Sequence, residues 1–120
     1  MEQRPYPWGG MPPDDTLTLF CPQSVCPTIP ANVGSFPAGN GRFGQSDLGG
    51  NIWEKLLDNA PGATNDPCDD CVILNPAGGE RMVEGGGFDS GATYLATDFV
   101  GSDVLDHRDK ADGFRCARPP

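Results

Sequence analysis

Chain breakers limit what this sequence can fold into. Glycine occurs 17 times and proline 13 times, so a quarter of the positions either free the backbone or fix it. Proline removes a hydrogen-bond donor, and glycine destabilises an element interior by about 0.5–1 kcal/mol relative to alanine. Few windows remain for a long helix or an unbroken strand. Tryptophan, phenylalanine and branched aliphatic residues are nevertheless spread along the chain, and no segment repeats. That distribution predicts a folded, loop-rich domain rather than disorder.

Size and charge narrow the function classes. The chain has 120 residues, room for one domain with a modest core. Its formal net charge of -9 argues against nucleic acid or an anionic membrane surface as partner. It suits divalent cations or cationic ligands, although most acidic surfaces are simply solvated. No run approaches the roughly 20 apolar residues of a membrane span. Four prolines and no apolar stretch fall within residues 1–15, so any export signal is expected outside this sequence.

The densest signal is "SDLGGNIWEKLLD", residues 46–58. Propensity reads it as a helix start, with Asn51 as N-cap and Glu54 three residues on. Elsewhere the signals are extended or turn-like. "TLTLF" (16–20), "NVGSF" (32–36), "TYLATDFV" (93–100) and "GFRCAR" (113–118) read as short strands, and "RMVEGGGF" (81–88) begins extended. "AGNGRFGQ" and "GSDVLDHRDKADG" read as turns. The pattern is α+β or irregular β.

Five cysteines stand at Cys21, Cys26, Cys68, Cys71 and Cys116. The first four form two close pairs in proline- and aspartate-rich loops. Their spacing fits either local disulfides or a four-thiolate zinc site. The aspartates between Cys68 and Cys71 favour disulfides, with connectivity open.

The order of the motifs carries a family resemblance. "RPYPWG", "VGSFPAGNGRFGQSDLGGNIWE", "RMVEGGGF", "TYL" and "DGFRCAR" follow one another as in the formylglycine-generating enzyme (sulfatase-modifying factor) family, which the chain resembles over nearly its whole length. The resemblance implies a C-type-lectin-like fold, α+β and loop-rich, with little regular structure. It places an extended segment, not a helix, at the N-x-W-E motif, and we follow it there. It also implies that residues 1–120 are the C-terminal part of a longer domain, with an N-terminal portion expected upstream.

Site residues follow from the same resemblance. The family's calcium ligands fall on Asp47, Gly50, Ile52 and Glu54, a mixture of carboxylates and carbonyls that suits a hard cation. The family's copper-binding cysteines fall on Ser90 and Leu95, and Gly87 replaces a serine beside them. A hydroxyl and an alkyl group cannot hold Cu(I), which prefers thiolates. Lys55 stands where the family carries a second tryptophan, Glu84 replaces an arginine, and Ala96 and Val100 lie near positions that often carry arginine. The single histidine, His107, reads as an exposed loop residue and cannot complete a histidine-based iron centre. The expectation is a calcium-stabilised binding module without copper chemistry, extracytoplasmic, taking a protein or small-molecule ligand. The alternatives are an active oxygen-dependent oxidoreductase using other residues, or a small zinc or disulfide module.

Overall fold

A computed structural model describes residues 3–23, 25–60, 72–74 and 79–116. Four strands form one sheet: β1 (Trp53–Ala60), β2 (Glu80–Glu84), β3 (Gly101–Val104) and β4 (Asp112–Gly113). Their order is β3-β2-β1-β4. β2 pairs antiparallel with both β1 and β3, whereas β4 runs parallel to β1. Among the described residues the helical pieces are two short 3-10 turns, Pro37–Gly39 and Ala92–Leu95. The loop-rich expectation holds in this coarse form.

The segment with helix propensity is a strand. Gly50 and Asn51 sit at φ +83° and +67°, outside the helical region. Asn51 is buried, and its side chain does not cap anything. Its Oδ1 accepts from the Ala31 N–H at 2.8 Å and its Nδ2 donates to the Ala31 carbonyl at 3.3 Å. Its main chain binds the Leu19 carbonyl and the Phe88 N–H, each at 2.8 Å. Every group a cap would offer to a helix is committed to another segment, so the chain leaves Asn51 extended.

β1 then carries a bulge. Lys55 pairs with Val83 and Asn59 with Arg81, so four steps on β1 match two on β2. Leu57 lies inside the bulge, 64% exposed, and its carbonyl accepts from Arg81 Nη1.

Three expected strands do not form, and each has a local reason. At residues 16–20, Asp14 Oδ1 accepts from the Thr16 N–H (2.8 Å) and hydroxyl (2.6 Å), while the Asp14 carbonyl accepts from Leu17 and Thr18. This side-chain turn pre-empts a strand. Residues 32–36 turn because Ser35 donates back to the Asn32 carbonyl through both its N–H and its hydroxyl. Within 93–100 the aromatic residues raise strand propensity, but Tyr94 donates to the Gly91 carbonyl and closes a 3-10 turn. Ring packing of Tyr94 on Trp53 and Phe99 overrides propensity there. β3 arises instead inside the stretch read as a turn. Near the C-terminus the strand is Asp112–Gly113; of the expected 113–118, residues 114–116 are not in a strand and 117–118 lie outside the described residues.

Among the described residues, the large apolar side chains of the core are Leu17, Phe20, Val83, Phe88 and Leu95. Beside them Cys21 and Cys26 form a disulfide. Bonded sulfurs offer no thiolates, so a four-thiolate zinc site cannot include this pair. Cys68 and Cys71 lie outside the described residues, and Cys116 is an exposed free thiol.

Gly50 is where the packing leaves least room. A Cβ there would lie 2.6 Å from the Leu19 carbonyl oxygen and closer still to Thr18 Oγ1, at a positive φ. Gly50→Ala is expected to destabilise by about 2–5 kcal/mol, from backbone strain plus overpacking. Gly91→Ala, whose Cβ meets nothing within 4 Å, should be near neutral. Urea denaturation of both variants checks the contrast.

Candidate functional site

A cavity of about 500 Å³ opens where the ends of the strands meet the turn that follows β3. All four strands or their flanks contribute: Trp53 from β1, Val83 from β2, Ser102 and Asp103 from β3, and Asp112 from β4. Its volume lies within the ~300–1,000 Å³ typical of ligand pockets.

One wall is aromatic. Trp53, Tyr94 and Phe99 touch pairwise with ring centroids 4.8–6.0 Å apart, at tilted or edge-on angles. This is the favoured geometry for aromatic pairs. Tyr94 keeps 43% of its surface exposed.

Much of the remaining lining is charged. Lys55 lies two residues beyond Trp53 on β1. Its Nζ sits 2.9 Å from Asp103 Oδ2 and 3.4 Å from Asp112 Oδ2, and donates to the His107 carbonyl at 2.7 Å. His107 Nδ1 approaches the same two oxygens at 2.9 and 3.2 Å. Asp112 Oδ2 is shielded from solvent and meets both nitrogens as an ion pair without good hydrogen-bond geometry.

These contacts shift the protonation equilibria. The hydrogen bond to Asp103, followed by the charge on that carboxylate, raises the His107 pKa above its ordinary value. The same carboxylate raises Lys55 through its hydrogen bond. At Asp103 burial opposes the charge, but hydrogen bonds from Lys55 and His107 outweigh it and hold the carboxyl below the usual range.

Asp103, His107 and Asp112 also bring three metal-competent atoms within 4.8 Å of one another. The Lys55 ammonium bridges both carboxylates and offsets one of their two charges.

The family model described as the sulfatase-modifying factor enzyme 1-like domain matches residues 2–120. The chain belongs to that family. A search of curated proteins finds no match. Among solved structures, the chain is similar to Treponema denticola variable protein 1, at 22% identity and a TM-score of 0.63. The alignment covers 82% of this chain and 34% of that one, and it shows a shared fold.

Asp47, at φ +56°, accepts the Gly34 N–H on Oδ2 at 2.7 Å. The Gly50 carbonyl accepts from the Ile52 N–H at 2.9 Å. Glu54 faces Arg115, whose Nε lies 3.1 and 3.0 Å from its two oxygens and whose Nη2 contacts Oε1. The same Nη2 donates to the Ser46 carbonyl at 2.9 Å and approaches the Asp47 carbonyl at 3.4 Å. A guanidinium cation thus lies against the Glu54 carboxylate and the backbone of the expected calcium turn.

At the degenerate copper positions, Ser90 Oγ accepts the Gly87 N–H at 3.1 Å, and Leu95 is 1% exposed in the core. The sequence reading missed the tetrad of Lys55, Asp103, His107 and Asp112. The i, i+4 spacing of Asp103 and His107 hinted at one contact, whereas Lys55 and Asp112 meet them only through sheet pairing.

Glu84 is Glu54's cross-strand partner. Burial, then the charges of Asp58 and Glu54, raises its pKa. The raised value makes its charge a penalty that is absent below the ordinary glutamate pKa and complete above the raised one. Glu84→Gln is expected to stabilise at neutral pH by roughly 0.2–1 kcal/mol, with no gain in acid. Thermal melts across pH check it.

His107 has the opposite sign. Its protonated form stabilises the fold below the ordinary histidine pKa, and that contribution fades as pH rises through the raised folded value. NMR titration should find His107 above its ordinary pKa, and Asp103→Asn should bring it down.

Proposed function

We propose that this chain is a ligand-binding module of the sulfatase-modifying factor family and not a copper-dependent oxidase. The observation that carries the reading is the cavity itself, lined by aromatic rings and by charged groups. The positions that the family resemblance assigns to copper support it. A serine hydroxyl and a buried leucine do not fit a soft metal, and Cys21 and Cys26 are already joined to each other. Loop-rich architecture favours the C-type-lectin-like form of the fold. The disulfide and the family favour an extracytoplasmic location.

Calcium enters the proposal under one condition. Asp47, Gly50, Ile52 and Glu54 offer hard oxygens, but as arranged they do not fit a second cation, because Arg115 already faces the Glu54 carboxylate. Calcium at this turn therefore competes with the guanidinium. Calorimetric titration of Ca²⁺ should give weak heats with wild type, stronger heats with Arg115→Gln, and none with Glu54→Ala. Equal heats from all three would remove calcium from this turn.

Two measurements test the module. Oxygen consumption with Cu(I) and a cysteine-bearing peptide is expected to stay at background. Ligand-observed NMR with a library of small polar fragments is expected to give binders whose signals weaken in Phe99→Ala and Tyr94→Ala. Turnover in the first assay, or binders indifferent to both substitutions in the second, would overturn the reading.

A further inference from the structure

We infer that the cavity beside Trp53 selects an organic cation, an ammonium or guanidinium group carried on an apolar stem. This rests on the binding-module reading and adds the chemical class of the ligand.

Charge is the first ground. Four carboxylates line the cavity: Asp89, Asp103, Asp109 and Asp112. Lys55 neutralises part of this by bridging Asp103 and Asp112. Among the described residues, the other two have only neutral donors. Asp89 Oδ1 is 3.4 Å from the Ser90 hydroxyl, and Asp109 Oδ1 accepts the Ala111 N–H at 2.9 Å. With His107 neutral the lining is left anionic, and protonating His107 reduces that excess without removing it. An anionic ligand would meet repulsion here.

The aromatic wall is the second ground, and it is independent of the first. Ring faces carry negative electrostatic potential and attract cations within about 6 Å of their centroids. Trp53, Tyr94 and Phe99 all line the cavity and are mutually tilted, so their faces point in different directions. Rings supply no lone pairs to a metal ion, but they do supply contact area to the methylene or methyl groups of an organic cation. A space of about 500 Å³ is also many times the volume of a bare ion. Size, wall chemistry and charge therefore agree on a cation that is itself partly apolar.

A divalent metal is the competing occupant. Two of its candidate ligands, Asp103 and Asp112, already hold the Lys55 ammonium, so a metal joining them with His107 would have to expel a resident cation. An organic cation needs no such displacement. It can use the aromatic wall together with Asp89 and Asp109.

The test uses the full chain and matched probes. Choline is compared with its uncharged carbon isostere, 3,3-dimethylbutan-1-ol, alongside butylammonium and butylguanidinium. The readout is the indole N–H resonance of Trp53, told apart from that of Trp8 with a Trp8→Phe variant. At least one of the three cations is expected to shift the Trp53 signal saturably, and the neutral isostere should not. Raising salt should weaken binding. Asp89→Asn and Asp109→Asn keep their hydrogen-bonding oxygens, and each should lower affinity by about two- to fivefold. Equal binding by the neutral isostere would overturn the cation class while leaving the binding module intact. Silence from all three cations would overturn it too, with the fragment screen deciding the module separately. Addition of Mn²⁺ or Zn²⁺ is the last arm. A Trp53 response to metal that EDTA reverses, without any response to the organic cations, would assign the cavity to a metal instead.

Discussion

The backbone at Gly49–Asn51 is the joint on which the rest of the structure depends. Thr18 Oγ1 donates to the Gly49 carbonyl, and the Gly50 N–H donates to the Gly85 carbonyl at 2.7 Å. Asn51 binds Leu19, Phe88 and, through its side chain, both polar groups of Ala31. Three consecutive residues thereby fasten segments that are far apart in sequence and belong to no common sheet. A loop-rich chain has few ladders to satisfy its buried backbone, so such cross-links carry the accounting that strands do elsewhere. Only a glycine tolerates the approach at Gly50, and asparagine is among the few other residues that accept a positive φ next to it.

The joint also sets the site. Because the chain leaves Asn51 extended, β1 begins at Trp53, and alternation along the strand puts Lys55 on the same side as that indole. The parallel pairing of Trp53 with Asp112 then brings the carboxylate of β4 beneath the ammonium. The antiparallel register of β2 and β3 delivers Asp103 from the other edge. The cavity is therefore a product of register, and a slip of one residue would turn Trp53 and Lys55 to the opposite face.

How much of this was legible in the sequence differs between its parts. The breaker density announced a loop-rich chain, and the ordered motifs announced the family. The extended start at Glu80–Glu84 was readable from its own residues. The strands expected at 16–20 and 93–100 were not, because Asp14 and the aromatic trio act through contacts that propensity does not see. At 51–58, local capping signals pointed to a helix while long-range hydrogen bonds of Asn51 decided for a strand. The site divides the same way. Glu54 and Asp47 were noticed through their motif, but Arg115, which sits against both, was seen only as part of a terminal strand. His107 was dismissed as solvated, and half of its side chain is. Its other half belongs to a charge cluster assembled from residues up to 57 positions apart.

β4 is only two residues long. Its hydrogen bonds to β1 are few, and the edge is fastened as well by the bond from the Trp53 N–H to the Ala111 carbonyl at 2.7 Å and by the contacts of Asp112 with Lys55 and His107. The same carboxylate lines the ligand cavity. One side chain therefore serves both the lining of the cavity and the seat of this edge, so a substitution at Asp112 cannot alter the one without touching the other.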